Sequence, residues 1–378
     1  MSEEKLVPKL RFSGFDEEWY EVKLNDIATF SKGKGISKND ISDEGIECIR
    51  YGELYTKYGE MIYKIESKTN LNKIGLIFSE KNDILIPCSG ETAIDLATAS
   101  CIQKDQVAIG GDITIIKTNQ YAPFITYYLN QKRTDIAKYA QGVSIVHLYA
   151  KDFKILNMRI PSFDEQKKII HLFEEIVKKE KLLEEKYNYY IEFKKYLMQQ
   201  IFTQKLRFDF NEKWKVYKLK DLMSVKSSNI SINKVDNNTG EYPLYGTGGY
   251  LQNIDFYEME DEYISITKDG SVGKIDYHEG RSSIINTSQY LIPNKNFNIR
   301  FLYYQLQTLN FEKYIVGSSI PHIYFKDYGN EKVKIPNLLE QEIIAKLFIV
   351  IDKKLYMLDK SISLMYRFKK GLLQQMFI

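Results

Sequence analysis

Gly142-Val143-Ser144-Ile145-Val146-His147-Leu148-Tyr149 is answered, 175 positions later, by Gly317-Ser318-Ser319-Ile320-Pro321-His322-Ile323-Tyr324. The match extends without a gap from residues 142–202 onto 317–377, with 25 identities in 61 positions. Lys151-Asp152 recurs as Lys326-Asp327, Ile160-Pro161 as Ile335-Pro336, and Glu165-Gln166 as Glu340-Gln341. Phe193-Lys194-Lys195 and Gln199-Gln200 recur as Phe368-Lys369-Lys370 and Gln374-Gln375. A fixed period over such a length is the mark of an internal duplication, and it decides the fold before any single element does.

A second match has a different offset. Phe15, Glu17, Trp19, Lys23, Leu24 and Asp26 recur 195 residues later as Phe210, Glu212, Trp214, Lys218, Leu219 and Asp221. The offset falls by 20 between the start and the end of the repeat, so the intervening segment is 20 residues longer in the first copy. Each copy is therefore a similar frame around a divergent middle, 27–141 in the first and 222–316 in the second. The frame also closes on itself. Lys9-Leu10-Arg11-Phe12 reappears as Lys205-Leu206-Arg207-Phe208 directly after Gln199-Gln200-Ile201-Phe202, and the chain ends at Gln374-Gln375-Met376-Phe377. This cyclic order predicts that the two termini lie together and copy the internal joint at 199–210, as in two units related by a pseudo-two-fold axis.

Helices are predicted after Pro161 and Pro336. Ser162 with Glu165, and Asn337 with Glu340, have capping-box spacing at the head of long apolar-periodic runs. Leu172, Ile176, Leu183, Tyr187, Tyr190, Leu197 and Ile201 carry the first stripe. Leu347, Ile351, Leu355, Leu358, Ile362, Met365, Leu372 and Met376 carry the second. A period of about 3.5 sustained over roughly four heptads predicts two coiled-coil helices. The repeat symmetry makes them antiparallel. Residues 164–203 hold eight acidic and eight basic side chains, a balance that suits packing on protein. The middles read as α+β: short β-branched runs such as Asp83-Ile84-Leu85-Ile86, Ile113-Thr114-Ile115-Ile116 and Tyr263-Ile264-Ser265-Ile266. Short helices are predicted at Phe124–Leu129 and Phe301–Leu309. The boundaries implied are 15–163 for the first globule, 164–204 for the first spacer helix, 205–336 for the second globule and 337–378 for the second helix.

The 378 residues exceed what one hydrophobic core normally serves. Apolar residues make up 44% and charged residues 27%, which excludes a disordered chain. A net charge of +3 excludes a histone-like polycation but allows local basic patches. Cys48, Cys88 and Cys101 form no close pair, against a disulfide framework or zinc module and for a reducing compartment. No apolar run approaches the roughly 20 residues of a membrane span, and none follows Met1-Ser2-Glu3-Glu4-Lys5 as in a secretory signal. A cytoplasmic protein without membrane contact is expected.

Catalytic constellations are missing. Gly270-Ser271-Val272-Gly273-Lys274 has the wrong spacing for a phosphate-binding loop and reads as a strand-connecting turn. Gly33-Lys34-Gly35 and Gly246-Thr247-Gly248-Gly249 are not dinucleotide fingerprints, and four His with three scattered Cys offer no metal spacing. His147 and His322, at the same repeat position, read first as packed or capping side chains, with a place near a phosphate as the alternative.

Binding candidates lie in the loops. In the first middle they are Lys32 and Lys34 in a glycine-rich turn, Arg50, Tyr51, Tyr55 and Lys57 in an interleaved charged and aromatic segment, and Ser89, Glu91 and Thr92 in a polar turn. In the second they are Tyr245, Thr247, Tyr250, Lys268, Ser271, Asn286 and Gln289. Lys, Ser and backbone amides suit phosphate; Arg, Asn, Gln and Glu suit base edges. Each loop alone reads first as a solvated turn; recurrence in two matched modules raises the case for binding.

Over nearly its whole length the chain resembles the specificity subunit of a type I restriction–modification enzyme. The resemblance is carried by Lys9-Leu10-Arg11-Phe12-Ser13-Gly14-Phe15 before Trp19, by Gln199-Gln200-Ile201-Phe202 leading to Lys205-Leu206-Arg207-Phe208, and by the doubled Ile-Pro-x-x-x-Glu-Gln helix starts. Arg50-Tyr51-Gly52-Glu53 and Tyr245-Gly246-Thr247-Gly248-Gly249 also resemble segments of such target-recognition domains. It implies two target-recognition globules, each with a curled sheet and short helices and each reading one half of a split, asymmetric double-stranded DNA site. It further implies two antiparallel helices that set the spacing and dock two modification (methyltransferase) subunits, with restriction (helicase–nuclease) subunits joining them. Adenine methylation and ATP-dependent cleavage would then belong to those partners, with their S-adenosylmethionine and ATP, and this subunit would carry no cofactor, metal or catalytic residue. The alternatives are a coiled-coil adaptor whose two β-rich modules bind protein, and a stand-alone DNA-modifying enzyme.

Overall fold

The computed structural model describes residues 7–142, 146–235, 240–318 and 320–378. Val143, Ser144, Ile145 and Ser319 of the matched segments lie outside them. The chain forms two compact units, Met1–Leu182 with Ile362–Ile378, and Leu183–Ser361. Two long helices, Phe163–Phe202 of 40 residues and Leu338–Met376 of 39, each begin in one unit and end in the other.

In the first unit, Tyr20–Lys23 pairs antiparallel with Asn157–Ile160. A five-stranded sheet runs in the order Ala28–Lys32, Ile113–Thr118, Ile84–Pro87, Ser100–Ile102, Met61–Ile62. A second sheet has the order Ala108–Ile109, Ile46–Ile49, Ser67–Thr69, Ile41–Ser42, its first pair parallel. The second unit repeats the plan. Lys215–Lys218 pairs with Lys332–Ile335. One sheet runs Met223–Ser227, Ser288–Pro293, Tyr263–Thr267, Ile275–His278; the other runs Gly249–Ile254, Tyr242–Gly246, Ser283–Ile284, with the last two parallel. The divergent middles therefore share a strand order that their residues do not share. Buried strand positions accept any β-branched or aliphatic residue of fitting volume, so topology outlasts identity. Most of the extra length of the first middle falls between its parallel-paired strand and its central strand. Residues 50–83 there add the helix Tyr51–Thr56 and the strands Met61–Ile62 and Ser67–Thr69, where the second unit has only 247–262 and one hairpin strand.

The predicted short helices form at Ala122–Gln131 and Ile299–Gln307, one on each larger sheet. Each core has the same aromatic joint: Trp19 meets Phe124 edge-on at 5.8 Å, and Trp214 meets Phe301 at 6.0 Å. The long helices complete these cores. Ile169, Ile170, Phe173 and Ile176 pack with Leu373, Met376 and Phe377 in the first unit. Leu197 and Ile201 pack with Ile344, Ala345, Phe348 and Ile351 in the second. In each unit the head of one long helix thus lies beside the tail of the other, an antiparallel arrangement.

The cyclic joint is visible in hydrogen bonds. The Leu10 amide donates to the Gln375 carbonyl at 2.9 Å, and the Leu206 amide to the Gln200 carbonyl at 3.0 Å. The next residue of each segment clamps the head of a long helix. Arg11 Nε and Nη2 donate to both oxygens of Glu165 at 2.8 Å. Arg207 donates to both oxygens of Glu340 at 2.9 and 2.8 Å. These glutamates have capping-box spacing, but their carboxylates take the arginines, because a bidentate guanidinium satisfies a buried carboxylate better than one amide does. Asn337 does cap, accepting the Glu340 amide at 2.9 Å. The following glutamines serve another joint. Gln166 and Gln341 donate to the Pro161 and Pro336 carbonyls at 2.9 Å and accept the amides of Tyr121 and Asn298, which head the short helices.

Candidate nucleic-acid interface

In both units the strand at the centre of the larger sheet ends in a polar turn, and the repeated histidine fastens it. In the first unit, Ile84–Pro87 runs into Ser89–Gly90, which pairs antiparallel with Val146–His147. His147 Nδ1 lies 3.2 Å from Ser89 Oγ, and its ring stacks on Tyr149 at 5.9 Å. In the second, Tyr263–Thr267 runs into Lys268-Asp269-Gly270-Ser271, and His322 Nδ1–H donates to Asp269 Oδ1 at 2.7 Å. The Leu148 amide donates to the Cys88 carbonyl at 3.1 Å, and the Ile323 amide to the Lys268 carbonyl at 3.0 Å. The histidines are thus packed side chains that hold a turn whose composition differs between the units.

Around the first turn the candidates separate into two groups. Tyr51 and Tyr55 lie on the helix Tyr51–Thr56, and the Tyr55 ring lies beside Gly90 in the turn of Ser89, Glu91 and Thr92. Burial raises the Tyr55 hydroxyl above its ordinary pKa, and Tyr51, Asp95 and Glu91 add to the rise. Ser89 is buried, Glu91 is exposed, and Thr92 Oγ1 caps Ala93–Leu96 by accepting the Asp95 amide at 3.2 Å. Lys32 lies at the other side, its Nζ 3.0 Å from Asp112 Oδ1, a hydrogen bond that raises its pKa. With Cys88, Tyr149 and Lys151 it lines a shallow depression of about 590 Å³. Lys34 is exposed, and its Nζ lies beside Gly75.

Two features assigned to DNA from sequence hold the fold as well. Gly33 packs so tightly that a Cβ there would sit 2.1 Å from the Gly110 carbonyl oxygen, and its amide donates to Ile113 at 3.0 Å. The glycine serves backbone packing. Lys57 Nζ lies 3.0 Å from the Oε1 of Glu53, which is 2% exposed. Burial would raise the Glu53 carboxyl, but bonds from Ser67, the Arg50 amide and Lys57 hold it below its ordinary value. Arg50 and Lys57 thereby frame the short helix that carries Tyr51 and Tyr55.

The second unit brings its candidates to one end of the sheet. Tyr245 and Tyr250 meet edge-on at 6.3 Å across the hairpin of Tyr242–Gly246 and Gly249–Ile254, whose Gly249 needs φ of +109°. Tyr250 is 61% exposed. Thr247 Oγ1 lies 3.4 Å from Thr287 Oγ1, and Lys274 Nζ donates to the Thr247 carbonyl at 2.8 Å. Lys268 and Asp269 amides donate to the Thr287 carbonyl at 2.9 and 3.2 Å, joining the loop of Ser271 to the segment of Asn286 and Gln289. Asn286 and Ser271 are exposed; Gln289 Nε2 donates to Ser227 at 3.2 Å. The predicted turn at 270–274 connects Tyr263–Thr267 to Ile275–His278.

Sequence reading missed Tyr149, Lys151, Tyr324 and Lys326 as candidates, although each recurs in the repeat. Tyr149 is 45% and Tyr324 48% exposed, and Lys151 and Lys326 stand over those rings at 5.7 and 5.3 Å.

Two mixed-sheet modules of one plan, each with its own polar loop cluster and both built on the same two helices, define a bipartite recognition protein. The comparisons give the family. The type I restriction modification DNA specificity domain matches residues 16–195 and again 211–363, and the chain belongs to that family. The specificity subunit of the type I restriction enzyme MjaVIII of Methanocaldococcus jannaschii is 21% identical over 94% of this chain and 91% of its own. A putative type I specificity subunit of Mycoplasma pneumoniae is 22% identical over 85% of this chain and 86% of its own. The crystal structure of a type I restriction–modification S subunit from M. genitalium superposes with a TM-score of 0.69 at 20% identity, covering 98% of this chain and 99% of that one. A chain from a structure of complex assembly and conformational transition in a type I system gives 0.58 at 14% identity, covering 96% and 98%. Among the described residues no helix is long and apolar enough to cross a membrane.

Proposed function

We propose that this chain directs a type I restriction–modification complex to one bipartite, asymmetric DNA sequence, each unit reading one half. The observation that carries this is one frame holding two different loop clusters at the same place, after the central strand of each larger sheet. A shared scaffold with unlike loops reads unlike sequences, and two modules on one chain gain affinity through effective concentration. Tyr51, Tyr55, Ser89, Glu91 and Thr92, with Lys32 and Lys34, face the first half-site; Tyr245, Thr247, Tyr250, Lys268, Ser271, Asn286 and Gln289 face the second. Arg50 and Lys57 contribute beside them. The long helices set the spacing between half-sites and dock two modification subunits, and restriction subunits join that assembly. Methyl transfer to adenine and ATP-driven cleavage take place on those partners in the cytoplasm, with S-adenosylmethionine and ATP bound there. The chain itself positions and does not catalyse.

Sequencing of methylated adenines in the host, with and without this gene, tests the proposal. Loss of one split, asymmetric motif supports it; retention of every motif overturns it.

A further inference from the structure

Within the segments that match without a gap, the described residues identical in both copies ahead of the long helices sort by cause. Gly142 and Gly317 have φ of +125° and +90°, which favours glycine. His147 and His322 hold the turns. Ile160, Pro161, Ile335 and Pro336 are buried. Asp152 accepts the Tyr149 amide at 2.9 Å. Two pairs remain, Tyr149 with Lys151 and Tyr324 with Lys326. All four side chains are exposed, and the contact that each pair shares is the ammonium over the ring. The Tyr149 ring also stacks on His147 at 5.9 Å, but packing accounts for neither exposed lysine.

We propose that Tyr149–Lys151 and Tyr324–Lys326 are twin phosphate anchors, one per unit, that grip the DNA backbone and fix the register of the adjacent turn. The inference rests on the DNA reading above and deepens it. A feature kept the same in two modules with unlike loops is not what distinguishes their sequences, and the two half-sites have the sugar–phosphate backbone in common. The chemistry fits. A lysine held over a ring keeps its charge at a fixed place, and a tyrosine hydroxyl donates to a phosphate oxygen. The placement fits too. Leu148 and Ile323, bonded through the backbone to the first residues of the turns, immediately precede the tyrosines. In the first unit Lys32, paired with Asp112 at 3.0 Å, lines the same depression as Tyr149 and Lys151.

The test uses the full-length chain, a mixed-sequence DNA duplex, and binding measured across a salt series. Unsubstituted protein that fails to bind duplex, in a host whose methylated motifs do not depend on the gene, overturns the DNA reading and this inference with it. Given binding, Lys151→Gln and Lys326→Gln should each reduce the slope of log affinity against log salt by about 0.9, and together by close to 2. Lys→Arg at the same positions should restore the slope. Lys178→Gln, an exposed lysine on the first long helix 3.8 Å from Glu175, should leave it unchanged. In the host, the double Gln variant should methylate the same motif less completely. Thermal unfolding of each variant should match the unsubstituted protein. An unchanged slope, an equal loss with Lys178→Gln, or a motif altered at one half-site would overturn the anchor.

Discussion

Removing Arg11 strands a carboxylate. The Glu165 side chain is 1% exposed and Arg11 15%, with two N–O distances of 2.8 Å between them. At an effective dielectric of about 20 a unit pair at that distance attracts by about 6 kcal/mol, much of it offset by desolvation. Arg11→Met keeps most of the stem and deletes the charge, so the loss comes from an unpaired buried carboxylate, roughly 3–5 kcal/mol. For a unit of this size that lowers the melting temperature by roughly 10 °C. The pair also anchors the segment whose Leu10 amide bonds Gln375, so the end of the second long helix should lose amide protection in the same variant. Adding Glu165→Leu removes the stranded charge and should recover at least half of the loss, since a packed apolar pair often matches a buried ion pair. Calorimetry resolves this, because the first unit's transition should move and the second's should not. A loss below about 1 kcal/mol, or a double variant no better than Arg11→Met, would refute the reasoning.

Further expectations concern other joints. His278 is buried, bonds Ser265 Oγ at 2.8 Å, and is pushed down to about 4, chiefly by desolvation. Its folded pKa lies below the unfolded one, so its contribution is full above about 6.5 and is lost as the pH falls through about 4; urea titrations of His278→Gln should show a flatter acid limb. Gly33→Ala must displace the Gly110 carbonyl and should cost about 2 kcal/mol or more in the first unit, read by chemical denaturation. A fragment of residues 1–207 should dimerise. Lys369 meets Glu180 at 3.7 Å and Lys194 meets Asp352 at 2.6 Å, and Lys194 is the repeat equivalent of Lys369, so the pair Glu180–Lys194 can form between two copies. Equilibrium sedimentation showing a strict monomer would contradict this.

The frame was legible because duplication wrote it twice. Glu165-Gln166 and Arg11 were both conspicuous repeats, yet their partnership was not readable. The two lie 154 residues apart, and a capping box explains the same spacing locally. The shared topology of the middles was hidden for a different reason. A strand such as Ile84–Pro87, buried throughout, and its counterpart Tyr263–Thr267 need only fill volume, so they share pattern rather than residues. Gly33 has a reason to be glycine that the sequence does not show: it lets the Gly110 carbonyl approach, as it would a phosphate. Thr92 and Lys57 spend side-chain contacts on a cap and on Glu53, which composition alone does not reveal. Tyr149 and Tyr324 stood in plain view but gained meaning only when their exposure was known.

The most direct measurement replaces residues 20–141 with the corresponding middle of another specificity subunit and reads the methylated adenines in the host. Independent modules predict a motif changed in one half and kept in the other. Changes in both halves would contradict the account.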